Sequence, residues 1–380
     1  MASTTLPATT GTTRLMSLDV LRGITIAFMI LVNNNGDEAH SYWPLRHSLW
    51  NGCTPTDLVF PTFLFLVGIS IVFSTDARLA KGHTKSSLVP HILRRTAILI
   101  LLGLVVNGFP RFPWETLRIY GVLQRIALCY LLGSLIYLAS RRVSNKVLLL
   151  AAALLGYWVL LRWVPVPGFG VPGHNIPILD KDANLVAWLD RHIFPGRLYE
   201  GTRDPEGLLS TLPALGTTLI GILTAIWLRT KKYAPDKIAL GLLLASFVGL
   251  LGGSVWSIWL PLNKKLWTSS YVLYAAGWSL LLLATFYWWI EVKQKQRGHW
   301  PWLVFGKNSI VCYVFAELFQ ALLTSIRTPK YPTVQRDIFL HIQAFVPSPP
   351  LASLAYALGM VAFCWTVAYP LYRKHIFLKV

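Results

Sequence analysis

The chain is 380 residues long, 54% hydrophobic and only 13% charged, whereas charged residues make up roughly a quarter of soluble globular domains, so the composition is that of an integral membrane protein. A formal net charge of +19 would suit a nucleic-acid binder, but such proteins gather Lys and Arg into one solvated patch. Here the basic residues lie in short clusters between apolar runs, the pattern of charge that sets membrane topology rather than of a nucleic-acid surface.

The first residues, 1–14, show no basic stretch followed at once by an apolar core, so a short tail without a cleavable signal is expected. Apolar windows of the length that crosses roughly 30 Å of hydrocarbon fall near 15–33, 56–74, 89–107, 119–139, 145–164, 208–228, 237–254, 269–290, 302–326 and 350–371. The predicted fold is therefore all-α: a polytopic membrane helix bundle of about ten transmembrane helices, forming one domain over 15–371 and ending in a tail, 372–380. Ten crossings put both termini on one face. With cytoplasmic termini the inner segments hold 19 Lys and Arg and the longer outer segments 13, the bias expected of inside loops. The outer loop 162–207 is the longest, rich in Pro and Gly at its start and carrying Asp180, Asp182, Asp190, Glu200, Asp204 and Glu206. Loops of that length are usually functional or disordered, and Trp188, Ile193, Phe194 and Leu198 give this one enough apolar mass to fold as a cap over an outer site.

Charged groups within crossing segments cost roughly 2.5–3.5 kcal/mol each on insertion scales, so each needs a partner or a task. Asp19 and Arg22 are three apart on one helix face and read either as an internal ion pair or as part of an anion site. Gln124 and Arg125 interrupt the fourth window, Lys307 and Asn308 open the ninth, and Glu317 lies inside it. Arg offers a donor fork suited to phosphate, so Arg125, Gln124, Lys307 and Asn308 could line a basic, amide-rich pocket for a polyanionic cofactor. Snorkelling at a helix end is the other reading of Lys307.

At the outer boundary His47 follows the amide run Asn33, Asn34, Asn35 and precedes Asp57 at the start of a span. A histidine near neutral pKa can take and return a proton, a carboxylate can orient it, and an amide can donate to a developing oxyanion. An ordinary loop histidine is the alternative. Cys53, Cys129, Cys312 and Cys364 are scattered without CxxC spacing, so neither a disulfide framework nor a metal is expected.

Six segments in order resemble the heparan-α-glucosaminide N-acetyltransferase family, a branch of the transmembrane acyltransferases: RLMSLDVLRGITIAFMILVNNNG (14–36), RHSLWNGCTPTDLVFPTFLFLVGISI (46–71), IYGVLQRIALCYL (119–131), DPEGLLSTLPA (204–214), PLNKKLWTSSYVL (261–273) and FGKNSIVCY (305–313). The resemblance implies an enzyme that takes acetyl-CoA from the cytosolic side and acetylates the amine of a glucosamine unit on the other side of the bilayer. It implies His47 as catalytic histidine, Asn33 as active-site asparagine and Asp57 as the acidic partner. The buried polar residues Arg22, Gln124, Arg125, Lys307 and Asn308, read above from their charge and placement, are then the residues expected to hold the CoA. Compared with the lysosomal enzyme the chain lacks a large N-terminal lumenal region and carries Lys307 where no invariant lysine is expected, which suggests a shorter, bacterial-type homologue in an inner membrane, with a homodimer as its assembly. A secondary transporter of a sugar or small anion and an O-acyltransferase acting on a cell-envelope glycan are the alternative functions.

Overall fold

The structure, a computed structural model, describes residues 15–193, 198–230, 232–295 and 297–377. The tail 1–14 and the last three residues of the tail 372–380 lie outside the described residues. The first helices are α1 (Met16–Asn33), α2 (Val59–Ala80), α3 (Lys85–Gly108), α4 (Val122–Ala139) and α5 (Val143–Trp163). After a short α6 (Leu185–Ile193) come α7 (Thr211–Leu228), α8 (Pro235–Trp256) and α9 (Ser269–Tyr287). The chain closes with α10 (Trp300–Lys307), α11 (Ser309–Ser325), α12 (Val334–Phe345) and α13 (Pro349–Arg373). Among the described residues nine helical stretches are long and apolar enough to cross a membrane, and α10 with α11 makes a tenth if the bent pair is counted as one.

The helices divide by what they cover. α1, α2, α4 and α7 are largely buried, and residues such as Val20, Leu64, Ala127 and Leu219 are inaccessible. α3, α5 and α8 are mostly exposed and present Leu101, Leu148 and Phe247 outward, which an aqueous surface would not tolerate as a continuous belt but lipid does. Two of the crossings close enough to require glycine bear on the site. A Cβ on Gly68 would stand 2.1 Å from the Thr218 carbonyl oxygen and one on Gly221 2.1 Å from that of Phe65, so α2 and α7 touch backbone to backbone. Gly306 likewise passes α1, where a Cβ would lie 2.0 Å from the Asp19 carbonyl oxygen.

The span expected over 302–326 is not one helix. It breaks at Asn308, whose backbone leaves the helical region (φ −124°, ψ 36°), and α11 departs at 81° to α10. The Asn308 amide donates to the Ile376 carbonyl at 3.1 Å, and Gly306 lets α10 lie against α1 before the turn. The sequence gives no hint of α12, an amphipathic helix outside the spans that buries Phe339 against Gly36 and holds the Gly36 carbonyl through Gln335 (2.9 Å).

The loops alternate between two ends of the bundle. One end gathers 34–54, 109–121, 164–193, 198–210, 257–268 and 326–348, tied by Gly52 N–H to Leu262 O (2.8 Å) and Trp50 Nε1 to Leu179 O (2.8 Å). Lys265 also reaches Glu200 at that end, at 2.7 Å. The start of the loop 162–207 is shaped there by tight turns in which Gly168, Gly170 and Gly173 take positive φ, whereas Phe194, expected to contribute to its apolar mass, lies outside the described residues. The opposite end holds the ion pairs of Asp76 with Arg141 (2.8 Å) and Arg229 (3.3 Å).

Candidate active site

The local sequence Thr54-Pro55-Thr56-Asp57 opens a 3₁₀ turn at the head of α2. Proline is pre-set for the first helical position, and Asp57, three residues after the cap, turns back to accept from the Thr54 N–H (3.0 Å) and hydroxyl (3.0 Å). The same oxygen, Oδ2, accepts the Ser48 N–H at 3.1 Å, and the Tyr271 hydroxyl anchors the Asp57 carbonyl at 2.5 Å. Asp57 is inaccessible to solvent, and its remaining oxygen, Oδ1, faces His47 Nδ1 at 2.7 Å. A carboxylate there accepts from Nδ1–H and leaves Nε2 as the unprotonated ring nitrogen. The pairing expected from the sequence is thus formed.

His47 and Asn33 line one small cavity of about 50 Å³ with Phe60, Glu206, Lys264 and Tyr313. It has room for an acetyl or amine group and not for a sugar ring. Asn33, exposed at the end of α1, donates Nδ2 to Glu317 Oε1 at 2.9 Å, leaving one amide hydrogen for a ligand.

Two charged residues complete this site without having been singled out in the sequence. Lys264 brings its ammonium to 3.3 Å from His47 Nδ1 and 3.5 Å from Nε2. It is held there by a rigid turn in which Asn263 Oδ1 accepts the Leu266 N–H (2.9 Å) and Asn263 Nδ2 donates to Asn51 (3.2 Å). Burial, against the pull of Glu206 and Asp57, lowers the Lys264 pKa from its ordinary value. Glu206 follows Asp204, and Arg118 clamps both: Nε and Nη2 donate to Asp204 at 2.7 and 2.6 Å, and Nη2 to Glu206 Oε2 at 2.5 Å. Burial pushes the Glu206 carboxyl up, but Arg118, Arg125 and Lys264 outweigh it and hold it below the usual carboxylate range. Nearby, burial lifts Asp190 to about 6, and burial and the Asp57 charge push the Cys53 thiol up to about 12, keeping it protonated and inert.

The residues expected to form one basic pocket fall into two places. Arg22 and Lys307 line a large cavity, about 750 Å³, at the opposite end of the bundle, together with Arg78, Lys81 and Arg95. Arg22 is also ion-paired to Asp19 at 3.0 Å and donates to Ser70 Oγ at 3.0 Å, so the internal pair and the cavity wall are the same residue. Arg125 does not line that cavity. It is buried beneath the small site, donating to Gly207 O (3.0 Å) and Ser210 Oγ, with its guanidinium over the Trp267 ring. Gln124 fills the gap beside Gly103 and Gly121, and Asn308 serves the backbone of Ile376.

The two cavities are strung along the same helices. Arg22 and Met29 of α1, Phe63 and Phe60 of α2, Ile126 and Val122 of α4, and Ile310 and Tyr313 of α11 belong to the large and small cavity respectively. On α2, α4 and α11 the two linings are three or four residues apart, about 4.5–6 Å of helix rise.

Fold and site together define a polytopic helical membrane protein with a histidine–carboxylate pair at one end and a basic cavity approaching it from the other. The family model for the catalytic region of heparan-alpha-glucosaminide N-acetyltransferase matches residues 14–261, and the chain belongs to that family. The heparan-alpha-glucosaminide N-acetyltransferase of Homo sapiens is 29% identical over 418 aligned residues, covering 97% of this chain and 60% of the relative. That of Mus musculus is 28% identical over 427, with the same coverage. The chain thus spans about three-fifths of the length of these curated relatives.

Proposed function

We propose that the chain is a transmembrane N-acetyltransferase that carries the acetyl group of cytosolic acetyl-CoA to the amine of a glucosamine-type sugar at the opposite face, with His47 as general base. The observation that carries this reading is the approach of the large basic cavity to within about one helical turn of the His47 site along α2, α4 and α11. A cavity of about 750 Å³ lined by Arg22, Arg78, Lys81, Arg95 and Lys307 suits a polyanionic nucleotide head, and on this reading the thin pantetheine arm spans the short distance to the small cavity, where the thioester lies. The basic loops beside the large cavity face the cytoplasm on this reading, and the His47 site opens outward.

An amine attacks only when neutral. His47 Nε2, kept free because Asp57 holds Nδ1–H, takes the proton as the amine nitrogen closes on the thioester carbonyl. Asp57, held by three further hydrogen bonds, stabilises the imidazolium. Lys264 and the remaining Asn33 amide hydrogen are the donors placed for the developing oxyanion. Collapse forms the amide, breaks the carbon–sulfur bond and returns the His47 proton to the departing thiolate.

The test is release of free thiol from acetyl-CoA by the detergent-solubilised protein offered a panel of amino sugars. Turnover that is lost in a folded His47→Ala variant is the expected result, and a wild-type protein that turns over with no amino sugar overturns the reading. Acetyl-CoA alone distinguishes the route: direct transfer leaves the enzyme unmodified, whereas an acetylated His47 would establish a two-step transfer.

A further inference from the structure

Resting on that reading, we infer that Glu206 is the receptor for the positively charged amine of the acceptor, and that it makes the site choose amines over hydroxyl groups. One oxygen of Glu206 has nothing to hold among the described residues. Glu206 lines the same small cavity as His47. Its Oε2 is taken by Arg118, and among the described residues no hydrogen bond reaches Oε1. The carboxylate is also fixed before any ligand arrives. Arg118 is anchored by its fork on Asp204 and by the Tyr199 ring, 4.7 Å away. Asp204 accepts the Glu206 N–H at 3.0 Å, and Arg125 holds the next carbonyl, that of Gly207. A preorganised acceptor of this kind loses little conformational freedom on binding.

Charge does not oppose this role. Asp57, Asp204 and Glu206 are matched by Lys264, Arg118 and Arg125, so the groups around the cavity are close to neutral inside a chain whose formal net charge is +19. An aliphatic amine with a pKa near that of an α-amino group, roughly 7.7–8.0, is mostly ammonium at neutral pH, so the acceptor offers Glu206 Oε1 a charge-assisted hydrogen bond. A hydroxyl acceptor offers only the weaker neutral one.

The sequence of events then balances. Glu206 Oε1 accepts a hydrogen bond from the ammonium and sets the nitrogen beside His47. Nε2 removes one proton, and the neutral amine attacks the acetyl carbonyl. The carbon–nitrogen bond forms as the carbon–sulfur bond breaks. The thiolate takes the proton held by His47, and the amine's second proton leaves to solvent. Glu206 ends unchanged.

The experiment compares a charged and a neutral sugar of nearly the same shape. Binding of glucosamine and of N-acetylglucosamine to the full, detergent-solubilised chain is measured by calorimetry for wild type and Glu206→Gln. Glutamine keeps an oxygen for Arg118, which also retains both bonds to Asp204. The expected result is at least a tenfold loss of glucosamine affinity in Glu206→Gln, with N-acetylglucosamine within twofold of wild type. Unchanged glucosamine affinity, or equal weakening of both sugars, overturns the assignment and makes Glu206 a purely structural residue. Should Glu206→Gln fail to fold, Glu206→Asp keeps the charge one methylene further back. It is expected to weaken glucosamine at least threefold and spare the neutral sugar, and equal binding of both overturns the assignment. A wild type that releases no thiol with glucosamine and binds neither sugar overturns the acetyl-transfer reading itself, a failure distinct from one confined to Glu206.

Discussion

Replacing Asp57 by asparagine changes one atom and should redirect a proton. The aspartate oxygen Oδ2 accepts from two backbone N–H groups, Ser48 at 3.1 Å and Thr54 at 3.0 Å, and from the Thr54 hydroxyl. In the variant the amide oxygen must occupy that position, which turns the NH₂ towards His47 Nδ1. The amide then donates to Nδ1, and the ring proton moves to Nε2, where the lone pair is needed. Flipping the amide would restore the productive tautomer but aim NH₂ at two backbone donors. Leaving those groups unsatisfied costs roughly 2–4 kcal/mol, equivalent to about 30- to 1000-fold in rate at 1.36 kcal/mol per tenfold. Asp57→Asn is therefore expected to lower kcat by that range. KM for acetyl-CoA should stay within threefold, because Asp57 does not border the large cavity. Thiol release under saturating acetyl-CoA reads both constants, and thermal melts establish that the variant is folded. A kcat within threefold of wild type would show that His47 does not act through Nε2 with Asp57 as its orienting partner.

Burial raises Asp190 to about 6 from an ordinary 3.8, so the native state binds that proton more tightly than the unfolded chain, and this contribution to stability falls as pH rises from about 4 to 6. Asp190→Asn removes the cost: its melting temperature should exceed that of wild type at pH 7.5 and match it near pH 4, and equal values at both would contradict the assignment. Gly68→Val drives a side chain against the Thr218 carbonyl, an overpacking of about 3 kcal/mol or more, and should abolish a monodisperse peak in size-exclusion chromatography, while Gly156→Ala, with open space beside it, should behave as wild type. Lys307→Met removes a cation from the large cavity and should raise KM for acetyl-CoA about three- to tenfold with kcat within twofold; an unchanged KM would place the nucleotide elsewhere.

The membrane helices could be read from the sequence because hydrocarbon imposes a length, and the apolar windows meet it with an error of a few residues at each end. The break at Asn308 could not, since it depends on Gly306 fitting against Asp19 and on the Ile376 carbonyl accepting the Asn308 amide, contacts set by the packed bundle. His47 and Asp57 are ten residues apart and meet through a local turn that Thr54 and Pro55 announce. Lys264 stands 217 residues from His47, and Glu206 reaches the site through Arg118, 88 residues earlier. Both lie in segments that carry the family resemblance, DPEGLLSTLPA and PLNKKLWTSSYVL, yet periodicity gives no reason for those loops to converge. Arg125 shows the converse difficulty: a buried arginine in an apolar helix suggested a place in the basic pocket, and it lies instead beneath the small site, where its Nη2 serves Gly207 and Ser210.

Transfer across the bilayer is tested most directly in sealed proteoliposomes that hold glucosamine inside and receive acetyl-CoA only outside. N-acetylglucosamine should accumulate in the lumen while free CoA thiol appears outside, and vesicles bearing His47→Ala should produce neither. Product formed only when donor and acceptor share one compartment would contradict a site fed from both faces of the membrane.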